Sequence, residues 1–161
     1  MTIANGQRLP DGTFMVLDDE GAPRALTSAE VFDGRRVVVF AVPGAFTRTC
    51  SSQHLPGFVA NADTMRARGV DEVACLSVND AFVMNAWAEA HGATGRVLML
   101  ADGTGAFTRA LGMEADFDAA GLGRRSRRYA MVVSDGVVEQ VFIEPEKGCT
   151  VSAAESVLEM L

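Results

Sequence analysis

Apolar residues cluster in short dense runs, and the stretches between the runs carry a helical period. The run Arg36 to Val42 is almost continuously apolar, which predicts a strand covered on both sheet faces. Glu72 to Val78 predicts a second buried strand, and Val97 to Ala101 and Thr13 to Leu17 shorter ones. Between them, Phe58, Val59, Ala62 and Met65 follow helical spacing within a helix from about Thr49 to Arg68, which Gly69 ends. Pro56 lies inside that helix, where it removes an N–H and crowds the Ser52 carbonyl, so a kink is expected there. Asn79-Asp80 can cap a helix from Ala81 to His91, and Asp102-Gly103-Thr104-Gly105 turns into another that runs through Leu111. Thr27 or Ser28 can cap a short helical turn to Phe32, and Asp33-Gly34 breaks it. Tyr129 to Val133 and Val137 to Ile143 flank Ser134-Asp135-Gly136 and read as a hairpin. Ser152 opens a last helix to Leu161. Residues 1 to 12 read as loop, and Met113 to Arg127 show no clear period. Strands alternate with helices first, then a hairpin and a helix follow. That order predicts an α/β three-layer sandwich around a central mixed sheet.

No repeat, low-complexity tract or linker interrupts the pattern, so residues 1–161 are expected to form a single domain. Hydrophobic residues make up 48% and charged residues 22%, the balance of a globular domain. A net charge of −7 argues against sequence-independent nucleic-acid binding, which needs a basic face. No apolar run approaches the ~20 residues of a membrane span. The start of the chain, Met1 to Gly6, lacks a basic region followed by an apolar one, so no signal peptide is expected. Three unevenly spaced cysteines do not make a disulfide framework, and the expected compartment is a reducing cytoplasm.

The candidate chemistry lies in the loop Pro43-Gly44-Ala45-Phe46-Thr47-Arg48-Thr49-Cys50, which joins a buried strand to a helix. A helix start carries partial positive charge and unpaired N–H groups, so Cys50 stands where a thiolate is stabilised. Its neighbours Thr49, Ser51 and Ser52 are polar, unlike those of a structural thiol. Thr47 can set its hydroxyl near the sulfur or a bound oxygen. Pro43 can shield the sulfur and stiffen the loop, and Gly44 suits a backbone angle that other residues dislike. Arg124, Arg125, Arg127 and Arg128 form a basic cluster, three of which are expected to be solvated. Arg128 abuts an apolar strand and shares a face with Ala130 and Val132, so its guanidinium needs an anionic partner, which the Cys50 thiolate can be. His54 lies one turn after Cys50 and is read as a packing or hydrogen-bonding residue able to tune it. Cys75 sits mid-strand and is expected in the core, whereas Cys149 in Gly148-Cys149-Thr150 is expected nearer the surface.

Pro43, Thr47 and Cys50 match the Pro-x-x-x-Thr-x-x-Cys motif of peroxiredoxins. With His54-Leu55-Pro56-Gly57-Phe58, Ala74 to Val83 and Arg128-Tyr129, the chain resembles the type-5 (type II) branch over roughly residues 3 to 161. The resemblance implies a thioredoxin-like fold and a thiol-dependent peroxidase that reduces hydrogen peroxide and organic hydroperoxides through a sulfenic acid on Cys50. It implies Cys50, Thr47, Arg128 and Pro43 as catalytic residues, no cofactor and no metal. It implies a homodimer, for which Phe46 or Phe82 can supply the contact, and glutaredoxin with glutathione, or thioredoxin, as the reductant. Some relatives carry a resolving cysteine near Cys149, in a shifted register. Arg48 stands where many have proline. The alternatives are a thiol–disulfide oxidoreductase, which the absence of Cys-x-x-Cys disfavours, and a non-enzymatic redox sensor.

Overall fold

The computed structural model describes residues 1–145 and 148–161. Seven strands form one mixed sheet: β1 (Thr13–Leu17), β2 (Pro23–Thr27), β3 (Arg36–Ala41), β4 (Glu72–Ser77), β5 (Leu98–Ala101), β8 (Tyr129–Ser134) and β9 (Val137–Ile143). Their spatial order is β2-β1-β5-β4-β3-β8-β9. β3 pairs parallel with β4, and β4 with β5, while β8 runs antiparallel to β3. Side chains alternate along a strand, so β3 feeds both cores. Val38 and Phe40 face one cluster with α2 (Leu55–Ala67) and α3 (Ala81–Ala90), and Val37, Val39 and Ala41 face the other with α1 (Ser28–Phe32) and α4 (Ala106–Ala110). α5 (Ala154–Met160) adds Ala154 and Val157 to the first cluster. Helix–sheet–helix is the three-layer, thioredoxin-like sandwich that the alternation predicts.

Most elements fall within a residue or two of their expected bounds. Thr27 is the N-cap of α1, in a reciprocal capping box with Glu30. Asp80 caps α3 by accepting from the Val83 N–H. The β8–β9 hairpin turns on Asp135 and Gly136 at φ 48° and 77°, the left-handed pair that a two-residue turn requires.

Several elements differ from expectation. β2 is an edge strand with mostly exposed side chains, and its pairing with β1 makes it a strand. The patternless region contains a small hairpin of β6 (Glu114–Asp116) and β7 (Arg124–Ser126), bridged by a 3-10 turn at Asp118–Ala120. The helix expected to kink at Pro56 opens instead with a wide π-turn at Cys50–His54, where the Leu55 N–H reaches the Cys50 carbonyl. Pro56 falls in the first turn of α2, where a missing N–H costs little, and the irregularity lies upstream of it. Ser152 does not cap α5: the N-cap is Ala153, and the Ser152 hydroxyl is bonded elsewhere.

Candidate active site

Strand β3 ends at Ala41, and the buried Val42 after it donates its N–H to the Leu76 carbonyl at 3.1 Å, so the following loop starts from a fixed point. Two side chains from outside hold that loop. Asn79, before α3, accepts the Ala45 N–H at 3.0 Å and is itself fixed by the Ser77 hydroxyl. Arg125 donates to the Pro43 carbonyl at 3.3 Å and to the Leu122 carbonyl at 3.0 Å. Arg125 is thus a brace across the loop rather than the solvated charge expected of it. The constraint on Gly44 is also different from the expected one. Its φ is not positive, but a Cβ there would lie 2.8 Å from Arg125 Nη1 and 3.3 Å from Thr47 Cγ2. The left-handed residue of the loop is Phe46, at φ 64° and 54% exposed.

The chain becomes helical at Arg48, so Cys50 lies in the first turn, among N–H groups that have no preceding carbonyls to bond. Cys50 is fully buried, and its Sγ accepts from Arg128 Nη2 at 3.0 Å. The sulfur is thus the partner of the Arg128 guanidinium, which stands on the expected face, with Ala130 and Val132 in the Cys50 cluster. Thr47 donates its hydroxyl to the Gly44 carbonyl at 2.7 Å rather than to sulfur, which leaves its oxygen lone pairs free to accept. A cavity of about 640 Å³ opens beside these groups, lined by Pro43, Thr47, Arg128, Glu144 and the apolar Phe117 and Leu122 of the small hairpin.

Arg128 is held from its far side. Its Nη1 lies 2.9 Å from His54 Nδ1, and His54 Nε2 lies 2.9 Å from the Ser152 carbonyl. Arginine only donates and a carbonyl only accepts, so His54 is neutral with its proton on Nε2. Burial lowers the His54 pKa to about 4, helped by the Arg128 charge. Phe40 and Phe58 flank the ring, with centroids 5.0 and 5.4 Å away.

Glu144 was not singled out by the sequence. It is buried, and its carboxylate accepts from the N–H and hydroxyl groups of both Thr150 and Ser152 at 2.6–2.9 Å. Burial pushes its pKa up, but these hydrogen bonds outweigh that and bring it to about 2.

Cys75 is in the core, as expected, and burial pushes its thiol well up. Cys149 is half-buried in the segment that Glu144 holds, and desolvation raises its pKa although Arg128 opposes this. All three cysteines are free. Among the described residues, no group of three or more His, Cys, Asp or Glu side chains is placed to hold a metal ion, and no helix is long and apolar enough to cross a membrane.

The sequence model of the redoxin family matches residues 4–158. The chain is 51% identical over 164 residues to rice (Oryza sativa subsp. japonica) peroxiredoxin-2E-2, chloroplastic, covering 99% of this chain and 73% of that protein. It is 44% identical over 159 residues to rice peroxiredoxin-2C, covering 99% and 98%. The chain belongs to the peroxiredoxins. Among solved structures, reduced Prx3 of Vibrio vulnificus in complex with H2O2 superposes with a TM-score of 0.94 at 50% identity, covering 99% of each chain. The peroxiredoxin fold thus agrees with the layer order built up above, and the protein is a thiol-dependent peroxidase. A peroxiredoxin reaction needs one ionised, oriented thiol, and of the three cysteines only Cys50 combines a helix start, an arginine on sulfur and a neighbouring cavity.

Proposed function

We propose that Cys50 is the thiol that attacks hydroperoxide, with Arg128, Thr47 and Pro43 completing the site. The observation that carries this is the Arg128 Nη2 to Cys50 Sγ contact of 3.0 Å at a helix start. The thiolate displaces R–O⁻ from R–O–O–H, forming an S–O bond as the O–O bond breaks. Cys50 becomes a sulfenic acid, and the alkoxide or hydroxide leaves as alcohol or water once protonated. Complete ionisation of an ordinary thiol, only ~3% ionised at pH 7, raises the thiolate fraction only ~30-fold, about 2 kcal/mol. Larger acceleration comes from holding the transition state. Arg128 spans sulfur and the incoming oxygen, the first-turn N–H groups receive developing charge, and the Thr47 oxygen accepts a hydrogen bond from the peroxide O–H, whose proton stays on the oxygen that joins sulfur. Pro43 forms part of the cavity wall and excludes water from the sulfur.

The chain belongs, in this reading, to the type-5 (type II) branch, as a single domain over residues 1–161. The similarity to peroxiredoxin-2E-2 and peroxiredoxin-2C supports the branch. The solved relative holds H2O2, and the apolar Phe117 and Leu122 suit larger organic hydroperoxides as well. An external thiol resolves the sulfenic acid, most simply glutathione with glutaredoxin. Cys75 is buried with its thiol pushed well up, and Cys149 is desolvated too, so neither is a ready internal nucleophile. Three free thiols suit a reducing compartment, the cytoplasm. Exposed Phe46 and Phe82, at 54% and 56%, offer an apolar contact for a homodimer.

The testing experiment is peroxide consumption with glutaredoxin/glutathione and, separately, with thioredoxin. Turnover with the first and a glutathione adduct on Cys50 support the reading. Rapid formation of a Cys50–Cys149 disulfide with thioredoxin-driven turnover overturns the external route.

A further inference from the structure

We infer that His54 is a positioning residue for Arg128, and that Glu144 acts on the same arginine by fixing the backbone that orients His54. The inference rests on the role of Arg128 proposed above. Arg128 meets the sulfur through one guanidinium nitrogen and His54 Nδ1 through the other. A guanidinium is planar, so anchoring Nη1 sets the direction of Nη2. The anchor works only while Nδ1 keeps its lone pair. The Ser152 carbonyl ensures that by accepting a hydrogen bond from Nε2–H, which keeps the proton on that nitrogen. Ser152 is in turn fully buried and held by Glu144 through both its N–H and its hydroxyl. The ring cannot turn away, because Phe40 and Phe58 stand against it. A continuous chain of contacts therefore runs from Glu144 through Ser152, His54 and Arg128 to the Cys50 sulfur.

Asparagine places an acceptor near the position of Nδ1, whereas leucine fills space without one. The test is the second-order rate of Cys50 oxidation by hydrogen peroxide in R128A, H54L, H54N, E144Q and the E144Q/H54L pair, with Trp87 emission and circular dichroism confirming the fold. R128A must be slow. His54→Leu is expected to slow oxidation on the order of 10- to 100-fold, the scale of a misplaced catalytic group. His54→Asn is expected to recover most of that rate, to within about 3-fold of wild type. Glu144→Gln slows the reaction less than His54→Leu, and the double variant matches His54→Leu alone within about 2-fold, because both act through one residue. In the wild-type protein, 15N spectra of the imidazole should show the neutral Nε2–H tautomer, a readout that needs no variant to fold. A slow R128A beside a normal H54L overturns the inference while leaving the role of Arg128 intact. Asparagine as slow as leucine, additive losses in the double variant, or the opposite tautomer also overturns it. A normal R128A refutes the reading of Arg128 itself.

Discussion

Neutralising the titration of His54 should flatten the acid side of the stability profile. In the folded chain the imidazole has a pKa of about 4 against an ordinary 6.5, because it is buried beside Arg128. Between those values the unfolded chain binds a proton that the folded chain refuses. Stability is therefore whole above pH 6.5 and is lost as pH falls towards 4, at up to about 1.4 kcal/mol per pH unit. The total approaches about 3 kcal/mol, a large share of the stability of a domain this size. His54→Asn removes the titrating group and keeps an acceptor for Arg128. The assay is urea unfolding at pH 7.5, 6.5, 5.5 and 4.5, followed by the buried, single Trp87. Absolute stabilities need not agree, since the variant can lose packing against Phe40 and Phe58; the slopes decide. Wild type should lose about 2 kcal/mol more than the variant between pH 6.5 and 4.5, with unchanged m-values. Parallel profiles would refute the neutral, buried histidine and the tautomer argument with it.

Arg128→Ala should slow peroxide attack on the order of 100-fold, the loss of ~3 kcal/mol of transition-state stabilisation, while Arg124→Ala leaves it nearly unchanged. Equal small losses in stopped-flow oxidation would mean that Arg128 does not stabilise the transition state. Gly44→Ala should slow oxidation by displacing the Arg125 brace or Thr47, and Gly44→Ala combined with Arg125→Ala should recover part of it; no recovery would place the fault elsewhere. Cys75→Ser should keep substantial peroxidase turnover, because that thiol lies in the core; loss of turnover with the fold intact would give Cys75 a chemical role.

The sheet and its order of elements were legible because β3, β4 and β8 are dense apolar runs and α2 and α3 carry helical stripes. β2 was not legible, since Pro23 to Thr27 is an exposed edge that exists through its pairing with β1. The β6–β7 hairpin was hidden for the same reason: its strands are short and polar, and only Phe117 and Leu122 hint at the cavity they line. Within the site, the burial pattern placed Arg128 on the correct face, and the loop placed Cys50 at a helix start. Arg125 escaped notice because its partner is a backbone carbonyl 82 positions away, which leaves no local signal. Glu144 escaped because its four hydrogen bonds come from a turn whose course no periodicity predicts. A glycine at position 44 suggests an unusual backbone angle, whereas what it supplies is room beside Arg125 and Thr47.

The most direct test of the central claim is to mix the reduced protein with one equivalent of hydrogen peroxide, trap sulfenic acid with dimedone, and map the adduct by mass spectrometry in wild type and Cys50→Ser. One adduct on Cys50 per peroxide consumed is expected, with a folded Cys50→Ser protein that consumes none. An adduct chiefly on Cys75 or Cys149, or peroxide consumption by Cys50→Ser at the wild-type rate, would contradict that claim.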